Sequence, residues 1–548
     1  MKHYRRWILL IAIVGFGITI GSATDIYRSI STNLRQFHNV AKYLLSEYVD
    51  EIDSEELMQD GINGMLEDLD PYTVYIKEED QTSVDMLTQG KYGGVGIRLG
   101  VRNDTLTVIA PMEGTPANRA GIRPGDKIIK IDSKDAVKLR SDEAARKIRG
   151  KPGTNVILTF IRYGEKSPFD IQLTREEIDI NDMPYYGVED GIGYVRLNRF
   201  SRDTAAQFRA AVVDLTEQGM EGLVVDLRDN PGGLLQDAVV MVDALVAPGL
   251  NIVETRGRTK KAMRKYISEK EPVLNAEIPL VILVNEGSAS ASEIVAGAIQ
   301  DLDRGVIIGE RTFGKGLVQS IFPVGRNTSL KITTAKYYIP SGRLIQKEDY
   351  LHNGVLTDGL DKKDSLFVTK GGRNVQGGGG IVPDIEIESE QISPLVSKLL
   401  SKSQFFAFAT QHRDRYNLTV PITISDDIMD EFREYVEGQD IQVMYPGQKE
   451  METFQTSLDN LESFEGRVDL GELTAYYEDR AAQAFNEEYD QLHRLLSLQF
   501  AELEGGIGER IHSALKDDPV YVKTVEILTD QEAYGATLNA AEQTAQRD

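Results

Sequence analysis

The sequence predicts a mixed, multidomain α/β protein, and three observations point to it. Its 548 residues exceed the usual size of one domain. Between 180 and 345, apolar runs of β type alternate with segments of helical period, the pattern of an α/β layer structure. On one side of that stretch lies β-rich sequence punctuated by glycine, and on the other a long, charged helical tail.

Composition narrows the function. The chain carries 61 basic and 86 acidic residues, a formal charge of -25, which repels phosphate backbones and argues against nucleic-acid binding. It has no cysteine, which excludes disulfides, thiolate zinc sites and a cysteine nucleophile.

Residues 1–24 hold Lys2, Arg5 and Arg6 ahead of the uncharged run Trp7–Ala23, which is 17 residues long. A membrane span needs about 20 apolar residues and a secretory core about 7 to 15. The segment is therefore expected to be a signal peptide or an N-terminal membrane anchor, with Gly21 and Ala23 spaced for cleavage. Either implies an exported protein of the periplasm or cell envelope, held at the inner membrane where the segment is retained.

Residues 25–84 form an expected N-terminal helical region. Leu34, Phe37, Val40, Ala41, Leu44 and Leu45 recur at helical spacing, and Asp53-Ser54-Glu55-Glu56 marks a second helix start. Leu69-Asp70-Pro71-Tyr72 ends the segment, because the residue before proline is driven out of the helical region.

Residues 85–178 read as short strands at Val95–Leu99, Thr105–Ile109, Lys127–Ile131 and Val156–Arg162, with a helix from Ser141 to Arg149. Within them, Tyr92-Gly93-Gly94-Val95-Gly96-Ile97 joins a glycine loop to a strand. Glycines let successive N–H groups converge on one anion, although a plain tight turn has the same composition. A strand beside such a loop can accept a peptide by edge addition. Together with Thr115-Pro116-Ala117, Ala120-Gly121-Ile122 and Pro124-Gly125-Asp126, this region resembles a PDZ domain. The resemblance implies recognition of free C-terminal tails.

In residues 179–390, Ile192–Leu197, Gly222–Leu227, Pro279–Val284 and Val306–Ile308 read as buried strands. Thr204–Gln218, Leu234–Leu245 and Ala291–Asp301 read as helices between them. Residues 346–380 are polar and glycine-rich, an insertion expected to be a loop or hairpin, and 391–548 form a C-terminal helical domain.

The chemistry concentrates at Gly287-Ser288-Ala289-Ser290-Ala291-Ser292-Glu293 and at Gly314-Lys315-Gly316-Leu317-Val318-Gln319. Ser290 falls at a strand-to-helix junction. Ser290-x-x-Glu293 is a capping box, which explains the pattern without catalysis. The same position lies beside orphan N–H groups and the positive helix end, which also stabilise an oxyanion. A serine nucleophile needs a base. None of the six histidines lies within 180–345, so Lys315, among small and apolar neighbours, is the candidate. Gln319, four residues on, would share a face with Lys315 on a strand, and nearly so on a helix, and could orient it. Asp226-Leu227-Arg228-Asp229-Asn230-Pro231-Gly232-Gly233 ends a strand in a tight turn whose Gly232 or Gly233 amide is a candidate second oxyanion donor.

These segments, with Gly64–Thr73, Gly309–Gln319, Tyr337–Arg343 and Gly380–Ile385, resemble in order the carboxyl-terminal processing proteases, the S41 family of serine peptidases. The resemblance covers about 30–390. It implies an α/β protease core of the ClpP/crotonase-like type and a serine endopeptidase that cuts exported proteins near their C-termini. It implies Ser290 as nucleophile rather than Ser288 or Ser292, Lys315 as base, Gln319 as its support, and the Gly232 and Ala291 amides as oxyanion donors. No metal or cofactor is implied. Protein tails are the expected partners, with Arg149 a candidate gating contact and the C-terminal helices a candidate homo-oligomer surface. The alternative is a non-catalytic exported PDZ scaffold that holds C-termini without cutting them.

Overall fold

β-Branched runs build the central sheet. In the computed structural model, Tyr185–Glu189 pairs antiparallel with Ile192–Arg196. Gly222–Asp226, Leu280–Val284, Val306–Gly309 and Ile385–Glu386 follow as parallel neighbours. Parallel strands require crossover connections, and helices covering both faces keep their apolar side chains dry. On one face, Thr204–Glu217, Leu235–Asp243 and Ala291–Asp301 bury Phe208, Val212, Val242, Ile294, Val295 and Ile299 against Val225 and Ile282. On the other face, Leu515, Val520, Tyr521 and Leu528 of the C-terminal helices cover Tyr194, Val224, Val281 and Ile308. The tail thus completes the sheet's second face, and its earlier helices form a separate core around Phe408, Phe432 and Phe500.

The structure describes residues 30–102, 104–347, 366–388, 390–439, 441–459 and 470–539. The N-terminal charged and apolar run expected to direct export lies outside them, as does most of the 346–380 insertion. The described part of that insertion holds a hairpin, Leu366–Val368 with Asn374–Gln376. Among the described residues, no helix is long and apolar enough to cross a membrane.

The chain divides into two compact units, Met1–Lys77 with Gln319–Thr333, and Glu78–Val318 with Thr334–Asp548. In the first, a helix ends at residue 47 and a second spans Ser54–Leu66, opened by Asp53, whose carboxylate accepts from the Glu55 and Glu56 amides. Val74–Ile76 then pairs antiparallel with Ser329–Lys331.

The second unit also contains a six-stranded array, Ile97–Arg102, Thr105–Pro111, Lys127–Ile131, Asn155–Ile161 and Phe169–Thr174 in that order, with Lys134–Asp135 paired to Lys127–Ile131. Its helix Ser141–Ile148 seals Val95, Val108, Ile128 and Phe160. This array touches the C-terminal helices through Ile109 and through the Arg98–Glu502 ion pair.

Candidate active site

Strand Leu280–Val284 delivers the chain to a turn at residues 285–290, and helix Ala291–Asp301 leaves it. Ser290 sits at that corner with φ 56° and ψ -111°. A non-glycine residue held there is strained, and a strand-to-helix turn of this kind projects its side chain from the sheet. The three serines of the turn differ in their surroundings. Ser288 and Ser292 are fully buried. The Ser288 hydroxyl donates to the Leu227 carbonyl at 2.8 Å, and that of Ser292 to the Asn230 carbonyl at 2.9 Å. Ser290 is half-buried and forms a capping box with Glu293, whose carboxylate accepts from the Ser290 amide.

Glu293 does far more than close a helix cap. It is fully buried, and four donors converge on it. Oε1 accepts from the Thr312 hydroxyl at 2.6 Å and the Gly314 amide at 2.7 Å. Oε2 accepts from the Ser290 amide at 2.8 Å and the Lys315 amide at 2.9 Å. Burial pushes its carboxyl above the usual value, against the opposing pull of these bonds. A second clamp faces the carbonyls. The buried Tyr337 hydroxyl lies 3.1 Å from the Ser290 carbonyl oxygen and 2.6 Å from that of Lys315. Burial and the Glu293 charge hold the Tyr337 phenol well above its ordinary value, so it remains a donor. The Ser290 and Lys315 segments are therefore tied twice.

The Asp226–Gly233 turn closes the site from the neighbouring strand. Asn230 is fully buried. Its carbonyl accepts from the Ala289 amide at 3.0 Å, and its Nδ2 donates to the Leu197 carbonyl at 3.0 Å. Gly232 has φ 95°, and a Cβ there would meet the Ala291 nitrogen and the Ser290 Cβ at 2.8 Å each. The structure thus brings Gly232, Ser290 and Ala291 together. Ala291, as the first helical residue, has no intrahelical acceptor for its amide. The Gly232 amide differs, since it donates to Asn230 Oδ1 at 2.9 Å.

The turn is anchored beneath by Asp226, which is fully buried. It accepts from the Tyr194 hydroxyl at 2.7 Å and pairs with Arg196 at 2.8 Å and Arg228 at 2.6 Å. Burial raises its carboxyl, but the Arg228 and Arg196 guanidiniums outweigh this and hold it well below the carboxylate range.

Lys315 is half-buried in an irregular segment that ends where strand Leu317–Gly325 begins. Gln319 lies on that strand, so the two do not share one regular element, and the expected alternation between them does not apply. In the first unit, Gln319 Nε2 donates to Thr333 Oγ1 at 3.3 Å.

The glycine loop forms a second cluster. Lys91–Gly94 pairs antiparallel with Glu176–Asp179, and Val95 is buried in the array's core. A Cβ on Gly93 would meet the Gly150 carbonyl at 2.1 Å, so the loop packs directly on the chain leaving helix Ser141–Ile148. Arg149, the C-cap of that helix, stacks its guanidinium 5.2 Å over the Tyr92 ring.

Sequence reasoning missed Tyr337 and the wider role of Glu293. Tyr337 stood in a recognised segment, Tyr337–Arg343, without an assigned task. Among the described residues, no group of His, Asp and Glu is arranged to hold a metal ion.

Comparison with known proteins agrees with this organisation. Peptidase family S41 matches residues 191–360 and a PDZ domain matches 107–162. The N-terminal domain of the activating protease CtpB matches 19–80, and the C-terminal helical domain of probable PDZ-proteases matches 395–528. The carboxy-terminal-processing protease of Bartonella bacilliformis is 39% identical over 338 residues, covering 61% of this chain and 76% of that one. A probable CtpA-like serine protease of Staphylococcus aureus is 34% identical over 357 residues, covering 63% and 71%. The photosystem II D1 C-terminal processing protease aligns at 29% identity and TM-score 0.35, over 63% of this chain and 84% of that one. Sheet, serine turn and PDZ module define a serine-type peptidase. The chain belongs to the S41 carboxy-terminal-processing proteases.

Proposed function

We propose that this protease works through a Ser290/Lys315 dyad on exported protein substrates recognised by their C-terminal tails. The observation that carries the reading is the double tie between the two segments, through Glu293 Oε2 and the Tyr337 hydroxyl. The spent hydroxyls of Ser288 and Ser292 support Ser290 as the nucleophile.

Neutral Lys315 takes the Ser290 proton as Oγ attacks a peptide carbonyl. The Ala291 amide and the Gly232 amide stabilise the developing oxyanion, which requires Gly232 to exchange its Asn230 acceptor for substrate. The Lys315 ammonium protonates the leaving amine, and water then hydrolyses the acyl-enzyme with Lys315 again as base. Gln319 is assigned as the group that orients Lys315. The loop Tyr92–Ile97 takes the substrate tail, and Arg149 on Tyr92 is the contact through which docking is sensed. Export and membrane anchoring through the N-terminal segment belong to the same proposal, as does self-association through the C-terminal helices.

The test is cleavage of an unstructured protein with an apolar C-terminus, followed by mass spectrometry. Ser290→Ala and Lys315→Ala should each abolish it. Binding without cleavage by the wild-type chain under all conditions would favour a tail-holding scaffold.

A further inference from the structure

The first two residues of the 346–380 stretch are bonded to the Lys315 segment. Gln346 is 3% exposed, and its Oε1 accepts from the Gly316 amide at 2.8 Å. One residue on, the Lys347 amide donates to the Gly314 carbonyl at 3.0 Å. These two contacts bracket Lys315 from either side.

A peptide group is planar, so holding its oxygen and its N–H at once fixes the whole plane. The plane ahead of Lys315 is held at both ends. The Gly314 carbonyl accepts from Lys347, and the Lys315 amide donates to Glu293 Oε2 at 2.9 Å. The plane behind it is held likewise. The Lys315 carbonyl accepts from the Tyr337 hydroxyl at 2.6 Å, and the Gly316 amide donates to Gln346. Two fixed planes leave Lys315 one φ and one ψ, and these set the direction of its Cα–Cβ bond. The segment is irregular up to Leu317, so these four bonds do what a strand ladder does elsewhere. Glu293 and Tyr337 also hold Ser290 and so set the spacing of the two segments. The Gln346 bond lies on the lysine side and sets direction. We propose that Gln346 is a positioning residue for the peptidase, aiming Lys315 by pinning the peptide plane that follows it. This rests on the reading of Lys315 as the base.

The test measures kcat, KM and melting temperature of the full chain for Gln346→Met, Gln346→Glu, Tyr337→Phe and the pair Gln346→Met with Tyr337→Phe. All are assayed well below the lowest melting temperature. Gln346→Met removes the acceptor at nearly constant length, and kcat should fall about tenfold with KM nearly unchanged. Gln346→Glu keeps an acceptor for the Gly316 amide. It should recover most of kcat on the alkaline plateau, where an added anion no longer alters the protonation of Lys315. Tyr337→Phe frees the other end of the same plane, so the paired variant should lose less than the product of the single losses. A lowered melting temperature with unchanged kcat in Gln346→Met would overturn the proposal and leave Gln346 a packing role. Losses that multiply, or a folded Gln346→Glu as slow as Gln346→Met, would overturn it as well. Full activity of Lys315→Ala would instead overturn the underlying reading of Lys315.

Discussion

Ser290 and Lys315 donate their backbone amides to the same oxygen, Glu293 Oε2, at 2.8 and 2.9 Å. A residue expected to cap one helix thus sets the spacing of two chain segments 25 positions apart. The carboxylate suits this task because it only accepts, and four donors face it. Glu293→Gln keeps the shape but turns an NH2 group toward at least one of those donors. We expect a loss of about 1–3 kcal/mol in stability, the cost of an unsatisfied buried donor. A drop in kcat should exceed any change in KM. Denaturant titration and steady-state kinetics check both.

Tyr337→Phe removes the second clamp without disturbing the ring's packing. The Ser290 and Lys315 carbonyls then lose a shared donor. Activity should fall about tenfold with a smaller stability change than for Glu293→Gln, because carbonyls tolerate a lost partner better than buried amides. Thermal melting beside kcat measurement separates the two effects.

At Asp226 the prediction concerns stability alone. Removing the charge by Asp226→Asn leaves the Arg196 and Arg228 guanidiniums without their central partner, Arg228 retaining Asp518 at 2.7 Å. Breaking a buried ion pair in this way costs about 3–5 kcal/mol. The carboxyl is held below its ordinary value, so its contribution is present above the unfolded carboxylate range and is lost only as pH falls through the lower folded value. Denaturant midpoints of wild type and Asp226→Asn should converge only in strong acid.

Asp237 behaves oppositely. Burial first, then the neighbouring Asp203 and Asp182, push its carboxyl up to about 6, although the Ala205 amide pulls it down. A raised carboxyl favours folding fully below the ordinary carboxylate value, and that advantage disappears as pH rises through about 6. Asp237→Asn should therefore gain stability relative to wild type above pH 6 and show no such gain near pH 4. Melting temperatures across that range test the sign.

Much of this architecture could be read from local pattern. Helix Ala291–Asp301 and strand Lys127–Ile131 fall at the expected bounds, because their apolar periods are unbroken and their ends are marked by cap or glycine. Tyr185–Glu189, Asn251–Gly257 and Thr328–Tyr338 escaped notice for the converse reason. None of the three shows an unbroken alternation of buried and exposed residues, so their burial is set by partner strands rather than by their own pattern. At the site, Ser290, Lys315 and the glycine turns announce themselves by composition. Glu293, Tyr337 and Asn230 do not, since each also takes partners 19 or more residues away that no local pattern reveals. Lys315 and Gln319 looked like neighbours on one element, but the strand begins only at Leu317.

The central claim is that Ser290 is acylated with Lys315 as its base. The most direct measurement is single-turnover acylation by an activated peptide ester, quenched and mapped by mass spectrometry across pH, in wild type and Lys315→Ala. The account predicts an acyl adduct on Ser290 alone, formed at a rate that falls about tenfold per pH unit on the acid side and is lost in Lys315→Ala. An adduct on Ser288 or Ser292, or a Ser290 adduct formed as fast without Lys315, would contradict it.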